Sequence, residues 1–466
     1  MNAPLRDESF RDSISTISKD GKRSWIYAKK PSGKLYNKRT VVSSILLALL
    51  FSGPFMRWND HPFLMFNILE RKFILFGIPF WPQDFILFVM AMLTFLVFII
   101  LFSVVLGRLW CGWACPQTIF MEMVFRKIEY WIEGDSAQQR ALDKGPWTPE
   151  KIRKKALKHF IFFWISFVIA NTFLAYIISI DELKLLVTEG PGKHMGGFVA
   201  LIIFTYVFYA VYARFREQVC LVVCPYGRLQ GVLLDRNSVV IAYDYGRGEP
   251  RGKMNKAEPR TTGDCIDCHA CVHVCPTGID IRNGTQLECV NCTACIDACN
   301  SIMNRVGLPE GLIRYTSEAN IAEKKKFKIT TRIYGYAAVL TILFTTLCTL
   351  LLLRTDVETT VLRTPGQLYQ IVDSVHVSNL YNIQMVNKTY NDLPLEIELA
   401  EPAGALKFVG EQPTTLEHDK MAEGVFFVVL NTNEIKALKT PLIINIKSGG
   451  KIISKVKTNF LGPNSK

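Results

Sequence analysis

Residues 265–276 read CIDCHACVHVCP, and residues 289–300 read CVNCTACIDACN. Both runs have the spacing C-x2-C-x2-C-x3-C, followed by proline in the first run and by Asn300 in the second. In bacterial ferredoxins with this spacing, three cysteines of a run bind one 4Fe–4S cluster and the fourth binds the other cluster. The two runs therefore predict a ferredoxin domain that holds two 4Fe–4S clusters.

The crossed pattern assigns the eight cysteines to two ligand sets. The linker at 276–288 is short, as the near-twofold arrangement of two such clusters requires. Asn300 is not a predicted ligand, so it changes local hydrogen bonding rather than the clusters. The first predicted set is Cys265, Cys268, Cys271 and Cys299, and the second is Cys289, Cys292, Cys295 and Cys275.

Other interpretations of these cysteines fit less well. Residues 265–269, CIDCH, match the pattern of c-type haem attachment, but that reaction occurs outside the cytoplasm and leaves most of the cysteines unexplained. A zinc ribbon uses four cysteines rather than eight, and disulfides are not expected in a reducing compartment. We expect His269 and His273 to lie at the surface and to tune the reduction potential, and Cys348 to be an apolar filler in a membrane helix.

Apolar runs elsewhere in the chain predict a membrane protein. Several uncharged stretches have about the 20 residues that a helix needs to cross a bilayer. A shorter run at 41–56 contains Gly53 and Pro54, and we predict that it also crosses. The long uncharged stretches are 85–107, 160–180, 195–213 and 333–353.

The net charge of +13 is concentrated in three segments. Residues 1–39 and 108–158 hold ten Lys or Arg each and residues 214–332 hold seventeen, whereas loops 58–84 and 181–194 hold two each. Basic loops remain cytoplasmic, so these three segments are predicted to be inside. This placement favours the bacterial inner membrane over nucleic acid as the partner of the basic charge. It also predicts a cytoplasmic N-terminus and a periplasmic C-terminal domain.

The predicted fold is a five-helix transmembrane bundle with two further domains. The C-terminal segment alternates strand-like runs and ends in a predicted hairpin around SGG at 448–450, which indicates an immunoglobulin-like β-sandwich. Its predicted role is structural or docking. The predicted parts are a basic tail at 1–39, helices within 40–213 with a loop at 108–158, a cytoplasmic section at 214–332 with the ferredoxin domain at about 255–310, a fifth helix at 333–353, and the periplasmic domain at 354–466.

Two further cysteine pairs follow predicted membrane helices, in CGWACP at 111–116 and CLVVCP at 220–225. Pro116 and Pro225 disfavour helix at the preceding residue and suit the first turn of a new helix. We therefore expect Cys111 and Cys220 to end membrane helices. Cys115 and Cys224 should begin new helices, where thiol pKa values are lowered, and nearby arginines should lower the pKa of all four thiols in the same way. Thiolates suit Cu(I), zinc and iron–sulfur clusters, so the duplicated pair predicts a redox or metal site.

The two Cys-x3-Cys-Pro segments at 111–116 and 220–225 are called the corners below. With both corners, the double ferredoxin run and the β-rich tail, the chain resembles the FixG/RdxA/CcoG family. The resemblance covers nearly the whole chain. It implies an oxidoreductase of the cupric reductase type that reduces Cu(II) to Cu(I) for assembly of cbb(3)-type cytochrome c oxidase, with copper held at Cys111, Cys115, Cys220 and Cys224. The implied partners are a cytoplasmic electron donor or quinol, a copper chaperone or copper-exporting ATPase, and oxidase subunits.

Two alternative functions remain open from the sequence. NapH-like and NosR-like proteins share the corners and clusters and pass quinol electrons to periplasmic reductases. However, NosR-like proteins add a large N-terminal flavin domain, and NapH-like proteins lack the β-rich tail. The other alternative is a non-enzymatic scaffold, which docks the oxidase through its tail and uses its clusters to sense redox state.

Overall fold

The computed structural model divides the chain into two compact units. Unit 1 comprises Met1–Met56 and Met92–Phe344, and unit 2 comprises Arg57–Ala91 and Thr345–Lys466. Residues 1–15 of the predicted tail and 254–261 of the predicted ferredoxin domain lie outside the described residues. The structure describes residues 16–17, 20–58, 61–68, 72–81, 84–253, 262–324, 329–366, 368–418, 420–435 and 437–463.

Helices make up most of unit 1. Three π-helical segments, Phe120–Phe125, Val211–Phe215 and Val219–Val223, interrupt or follow the regular helices. The α-helices are α1 (Lys34–Ser52), α2 (Phe85–Leu106), α3 (Leu109–Trp113), α4 (Pro116–Ile119), α5 (Arg126–Ile132), α6 (Ser136–Lys144), α7 (Pro149–Ile178), α8 (Ile180–Glu189), α9 (Met195–Ala210), α10 (Pro225–Leu233), α11 (Tyr245–Gly248), α12 (Ala270–His273), α13 (Ala294–Val306), α14 (Glu318–Glu323) and α15 (Thr331–Leu352).

Five helices among the described residues are long and apolar enough to cross a membrane. The third begins at Pro149, well before the uncharged run, because the Thr148 side chain caps its N-terminus and proline suits the first turn. The first starts at Lys34, so the predicted basic tail contributes its last turns to a helix. The apolar helical segments are Lys34–Phe55, Phe85–Leu106, Pro149–Ile178, Met195–Phe215 and Thr331–Leu352.

Aromatic packing joins three helical elements of unit 1. Phe125 stacks on Tyr212 with ring centroids 4.4 Å apart and meets Phe162 edge-on at 4.8 Å. All three side chains are almost completely buried. Such pairs add to the stabilisation from burial alone, so this cluster fixes the segment after Cys115 against α7 and the end of α9.

The two cysteine runs form a second core in unit 1. A two-stranded antiparallel sheet flanks them, pairing Val240–Tyr243 (β6) with Ile313–Thr316 (β7). The carboxylate of Asp297, in the second run, accepts hydrogen bonds from the backbone N–H groups of Leu35 and Tyr36 at 3.2 and 2.8 Å. The start of α1 is therefore capped by a residue of the ferredoxin domain.

Unit 2 is β-rich, as predicted for the C-terminal segment. One sheet has the strand order β13-β15-β10-β8, with β9 also pairing β10, and another has the order β12-β16-β17. The strands of unit 2 are β1 (Arg57–Trp58), β2 (His61–Pro62), β3 (Leu64–Asn67), β4 (Lys72–Leu75), β5 (Ile78–Phe80), β8 (Val357–Arg363), β9 (Gln370–Ile371), β10 (His376–Asn387), β11 (Leu393–Pro394), β12 (Glu396–Glu401), β13 (Gly404–Val409), β14 (Thr415–Leu416), β15 (Met421–Asn431), β16 (Lys439–Ser448) and β17 (Lys451–Leu461).

The hairpin predicted at SGG is present between β16 and β17. Gly449 and Gly450 have φ values of 55° and 78°, which two-residue hairpin turns require and which glycine adopts at little cost. The sandwich core includes Tyr381, Phe426 and Phe460, all fully buried. Alternating burial along β10 and β16 is what a strand with one face on a core produces.

A buried ion-pair network joins the two chain segments of unit 2. Asp84, just before α2, pairs with Arg354 at 2.8 Å and also with Lys388, which pairs with Glu358 at 2.6 Å. Burial raises the pKa of Asp84, but hydrogen bonds from Arg354 and Lys388 outweigh it, and the net pKa is lowered. The carboxylate is therefore charged, and it ties the loop before α2 to the sandwich.

Candidate functional site

The eight cysteines of the two runs line two small cavities in unit 1. The first cavity, of about 20 Å³, is lined by all four cysteines of the first predicted set, and Cys299 reaches it from α13. The second, also of about 20 Å³, is lined by all four of the second set, and Cys275 reaches it from the first run. Cys271 lines both cavities. The structure thus brings each predicted set together.

The thiols in each cavity surround a space rather than converge on a point. Among the described residues, no three His, Cys, Asp or Glu side chains are placed to hold a single metal ion. Four thiols around a space suit a cubane cluster, whose iron atoms each take one thiolate. A zinc ion would need its four sulfurs at about 2.3 Å from one centre. The donor chemistry and the spacing together fit iron–sulfur clusters.

Both runs use the same unusual backbone. Asp267 and His269 have φ values of 55°, and at the equivalent positions Asn291 and Thr293 have φ values of 53° and 68°. Left-handed residues between helical ones turn successive N–H groups inward, and such nests bind anionic clusters. The energetic cost of this conformation is highest at Thr293, because Thr293 is β-branched. The two runs therefore share one backbone conformation, as expected if each loop holds the same kind of group.

Burial raises the pKa of several of these thiols. The pKa is about 12 for Cys271, about 12 for Cys289, about 11 for Cys292 and about 12 for Cys299, with loss of solvation as the largest cause in each. Such thiols are neutral unless a strong positive charge holds them as thiolates. Metal coordination deprotonates a thiol outright. These buried cysteines are therefore suited to binding metal rather than to reacting with molecules from solvent.

Arg282 is the one Lys or Arg in the described lining of the first cavity, and the sequence patterns did not single it out. It is buried, it lines the cavity, and its side chain donates to Asp280 at 2.6 Å and to His269 Nδ1 at 2.8 Å. Its charge lowers the pKa of Cys271, against the larger effect of burial. His269 is half-exposed, as expected, and acts as a partner of this arginine.

The predicted geometry of the two corners is right for one cysteine of each pair. Cys115 and Cys224 are the N-caps of α4 and α10, and Pro116 and Pro225 occupy the first turn. The prediction that Cys111 and Cys220 end the membrane helices is wrong. Cys111 lies in the separate helix α3, and Cys220 lies in the π-helical turn at Val219–Val223.

Two residues with positive φ explain why the membrane helices stop early. Gly107 has a φ of 57°, and a Cβ there would lie 2.9 Å from the carbonyl oxygen of Val239. Arg216 has a φ of 54° and is buried. A left-handed residue ends an α-helix. The chain therefore turns before each cysteine pair, and both thiols of the pair lie beyond the end of the apolar helix.

The structure brings all four corner thiols into one group. The pKa of Cys111 is raised to about 12, first by burial and then by the neighbouring Cys115 and Cys224. The pKa of Cys220 is also raised to about 12, by burial and by all three other corner thiols. The expected lowering of these pKa values is therefore wrong for Cys111 and Cys220, because desolvation dominates.

Cys111 has a specific hydrogen-bond partner. Its Sγ donates to Gln230 Oε1 at 3.0 Å, and Gln230 Nε2 donates to Ser103 Oγ at 3.2 Å. Gln230 is completely buried. This chain of side chains orients the neutral thiol, and it connects α10 from the second corner to the end of α2 before the first corner.

The four-thiol group adjoins the second cavity. A further cavity is lined by Cys220 together with Pro276, Thr277 and Val290, and these last three residues also line the second cysteine cavity. On the other corner, a Cβ on Gly112 would lie 2.5 Å from the carbonyl oxygen of Val290. One layer of residues therefore separates the corner thiols from the second set of ferredoxin cysteines.

Buried ion pairs support the second corner. Arg216 Nη2 lies 2.9 Å from Glu129 Oε2, and its Nε lies 3.6 Å from Glu217 Oε2. Arg126 pairs with Glu122 at 3.2 Å and with Glu217 at 3.7 Å. Breaking a buried pair costs several kcal/mol, so this network holds the strained turn before Cys220 in place.

Arg39, Gln230 and Arg282 all act beside cysteines, and sequence reasoning missed them. Arg39 Nε donates to the carbonyl oxygen of Gly112 at 2.6 Å and is buried. No local motif marks these residues, because each one meets its cysteine through long-range packing. Arg39 follows Lys38 at the basic start of α1, so the sequence carries no signal that distinguishes it from its exposed neighbours.

Comparison with known families agrees with this architecture. A family model of 4Fe–4S dicluster domains matches residues 215–318, and one of 4Fe–4S binding domains matches residues 88–134. A model of the immunoglobulin-like fold at the C-terminus of FixG matches residues 347–463. The protein is therefore an iron–sulfur redox protein of the membrane with a C-terminal immunoglobulin-like domain.

Three curated relatives place it more closely. RdxB of Cereibacter sphaeroides is 32% identical over 437 residues, 89% of this chain and 90% of RdxB, and RdxA of the same organism is 33% identical over 82% of this chain and 83% of RdxA. The nitrogen fixation protein FixG of Rhizobium meliloti is 38% identical over 65% of this chain and 59% of FixG. The chain belongs to the family of FixG, RdxA and RdxB, which confirms the predicted resemblance.

A solved structure also matches part of the chain. The crystal structure of a FixG-related protein from Vibrio parahaemolyticus covers 23% of this chain and 97% of its own, with 15% identity and a TM-score of 0.20.

Proposed function

We propose that the two cavities hold the two 4Fe–4S clusters and that copper bound at the four corner thiols receives their electrons. The first cluster is bound by Cys265, Cys268, Cys271 and Cys299, and the second by Cys289, Cys292, Cys295 and Cys275. When bound, each cluster stores one electron. The observation that carries the proposal is that the first cavity, the second cavity and the corner thiols follow one another. Cys271 lines both cavities, and Val290 lies between the second cavity and the corner thiols.

The proposed electron acceptor is copper. Cu(II) takes one electron and becomes Cu(I), a soft ion that thiolates bind well. Cys111, Cys115, Cys220 and Cys224 supply four thiols in one group, and burial keeps at least Cys111 and Cys220 neutral until a cation arrives. Since no three of them converge on one point, copper bound here uses two thiols or draws the corners together.

The proposed role is to supply Cu(I) for assembly of cbb(3)-type cytochrome c oxidase. The excess of Lys and Arg in 1–39, 108–158 and 214–332 supports a cytoplasmic location for the clusters and the corner thiols. A copper chaperone or copper-exporting ATPase would accept the Cu(I) there. The immunoglobulin-like domain would face the periplasm and could dock oxidase subunits.

Copper reduction by the purified protein tests this function. The full chain with reconstituted clusters is reduced with dithionite, freed of excess reductant and mixed with Cu(II), and Cu(I) is trapped with a coloured chelator. We expect cluster reoxidation and Cu(I) formation in parallel, and loss of both when the four corner cysteines are changed to serine. Cys348→Ser is the matched control, because Cys348 lies in α15 and belongs neither to the ferredoxin runs nor to the corner pairs. Equal rates in the quadruple variant would remove the corner thiols from the reaction.

A second candidate for the corner thiols is a further iron–sulfur cluster. The specific observation is that the 4Fe–4S binding-domain model matches residues 88–134, a stretch whose cysteines are Cys111 and Cys115 alone. Iron content separates the two candidates. Two clusters give about eight iron atoms per chain whether or not the corner cysteines are present, whereas a third cluster adds iron that the quadruple serine variant loses.

A further inference from the structure

A cleft of about 400 Å³ opens in unit 1 beside the second cysteine cavity. This volume is in the range of small-molecule sites, about 300–1,000 Å³. Two pairs of adjacent residues connect the cleft to the cavity. Glu288 lines the cleft and Cys289 the cavity, and Val240 lines the cleft and Ile241 the cavity. A molecule in the cleft would therefore lie next to the second cluster.

The cleft lies at the ends of two apolar helices. Ser238, on its wall, donates from Oγ to the carbonyl oxygen of Val104 at 2.7 Å, within the last turn of α2. Asp235, also on the wall, pairs at 3.4 Å with Arg332, the second residue of α15. If these helices cross the bilayer, then the cleft is at the level of the membrane interface.

Exposed apolar side chains lie on the cleft wall and on the helix α10 that contributes to it. Leu287 lines the cleft and is 62% exposed. It packs close to Gly231, where a Cβ would lie 2.6 Å from its Cδ2. Val232, the next residue in α10, is 83% exposed, and Leu229 one turn earlier is 42% exposed. An exposed apolar stripe of this kind suits contact with lipid and with a lipid-soluble ligand.

The charges on the wall restrict the class of ligand. Asp235, Glu288 and Glu318 line the cleft with one cation, Arg236, while Arg332 pairs with Asp235 and Arg108 donates to the carbonyl oxygen of Leu287. The wall therefore has no excess of cations to offer a phosphate, which disfavours nicotinamide nucleotides, flavin phosphates and anionic lipid headgroups. Among the described residues no three acidic, His or Cys side chains can hold a metal ion, so a cation is not the better occupant. A neutral, amphipathic molecule that releases protons fits the wall best.

We propose that this cleft binds a membrane quinol and that the quinol is the electron donor. The inference rests on the proposed function, since it names the donor for the same clusters. Oxidation of one quinol to quinone releases two electrons and two protons. The two 4Fe–4S clusters take one electron each, and the protons pass through the carboxylates of Asp235 and Glu318 to water. One quinol would thus reduce two Cu(II) ions to Cu(I).

The test uses the full chain in lipid nanodiscs with reconstituted clusters, kept free of oxygen and of copper. A short-tailed ubiquinol or menaquinol is added, and cluster reduction is followed by visible absorbance and by EPR. We expect quinol, and not NADH, to reduce the clusters. Glu318→Gln should slow this step about tenfold or more, at the low end of proton-transfer effects. Leu287→Trp, which fills the cleft, should raise the quinol concentration needed.

Glu323→Gln is the matched control, an exposed carboxylate on the same helix that is not part of the described lining. Dithionite should reduce all variants alike, which shows that the clusters are intact. Failure of quinol to reduce the wild-type clusters, or equal rates in Glu318→Gln and Glu323→Gln, overturns the cleft assignment. If dithionite-reduced protein still reduces Cu(II) in that case, then the proposed function stands without it. If quinol reduces the clusters but Cu(II) does not reoxidise them, then the cleft stands and the copper function fails.

Discussion

Gly112→Ala is expected to separate the corner thiols from the second cluster. A Cβ at this position would lie 2.5 Å from the carbonyl oxygen of Val290 and 2.6 Å from that of Asn291. Both obstacles are backbone atoms in the loop between Cys289 and Cys292, and Asn291 is buried, so neither can rotate away as a side chain could. Overpacking costs about 1–3 kcal/mol, and we expect the upper end here.

A cost of about 3 kcal/mol changes the equilibrium between the native and a displaced position of this loop by roughly 100-fold. We therefore expect copper reduction by dithionite-reduced protein to slow by up to about 100-fold. The EPR signal of the second cluster should change while that of the first is retained. Stopped-flow absorbance measures the first quantity, and EPR of the same preparation measures the second.

Gly335→Ala is the matched control. Gly335 lies in α15, and a Cβ there meets no atom within 4 Å. Alanine should be neutral or slightly stabilising in a helix at such a position. If Gly112→Ala behaves like Gly335→Ala in both rate and spectrum, then Gly112 does not pack against the loop of the second cluster. The proposed electron path from that cluster to the corner thiols is then contradicted.

Three further predictions concern other parts of the molecule. Asp84→Asn removes the buried carboxylate that pairs with Arg354 and with buried Lys388 and should cost about 3 kcal/mol of unfolding free energy, the low end for a broken buried pair because Lys388 keeps Glu358, measured by denaturant titration, whereas Glu358→Gln, at a half-exposed partner, should cost about 1 kcal/mol or less. Because the pKa of Asp84 is lowered by folding, its contribution should be complete at neutral pH and be lost as the pH falls below about 4; an Asp84→Asn variant whose thermal midpoint equals that of the wild type at neutral pH, or falls by the same amount at neutral pH and in acid, would contradict this. Arg282→Gln removes the cation beside the first cavity and should lower the potential of the first cluster more than that of the second in a redox titration monitored by EPR, and an unchanged potential would show that Arg282 only braces the loop. Gln230→Leu removes the acceptor of the Cys111 thiol and should change the thiol's labelling rate with a neutral maleimide while leaving both cluster signals intact; unchanged labelling would rule out the hydrogen bond.

The ferredoxin cysteines could be predicted almost completely from spacing. The rule that the fourth cysteine crosses to the other cluster placed Cys299 and Cys275 in the cavities where the structure has them. This works because a cubane fixes the distances between its ligands, so a short chain segment can meet them in few ways. The β-rich character and the last hairpin of the C-terminal domain were predictable for the same kind of reason, since the residue pattern of strands and tight turns follows from their backbone geometry.

The corner thiols show where sequence reasoning stops. Proline correctly predicted that Cys115 and Cys224 begin helices. The helix ends before Cys111 and Cys220 were missed, because they depend on Gly107 and on Arg216 in a left-handed conformation. Glycine is common in membrane helices, and arginine gives no sign of positive φ unless its buried partners are known.

The pKa values were mispredicted for a related reason. A helix N-terminus and nearby arginines lower a thiol pKa, and both features can be read from the sequence. Burial works in the opposite direction and dominates for Cys111 and Cys220. Burial depends on how the ferredoxin domain packs against the corners, and that contact between distant parts of the chain has no local signature.

The most direct test of the central claim is EPR of the dithionite-reduced full-length protein together with metal analysis of the same sample. The account predicts two magnetically interacting 4Fe–4S signals and about eight iron atoms per chain. Serine at Cys299 should remove the first signal, and serine at Cys275 should remove the second. A bound zinc ion, a haem absorption band or a single cluster that survives both substitutions would contradict it.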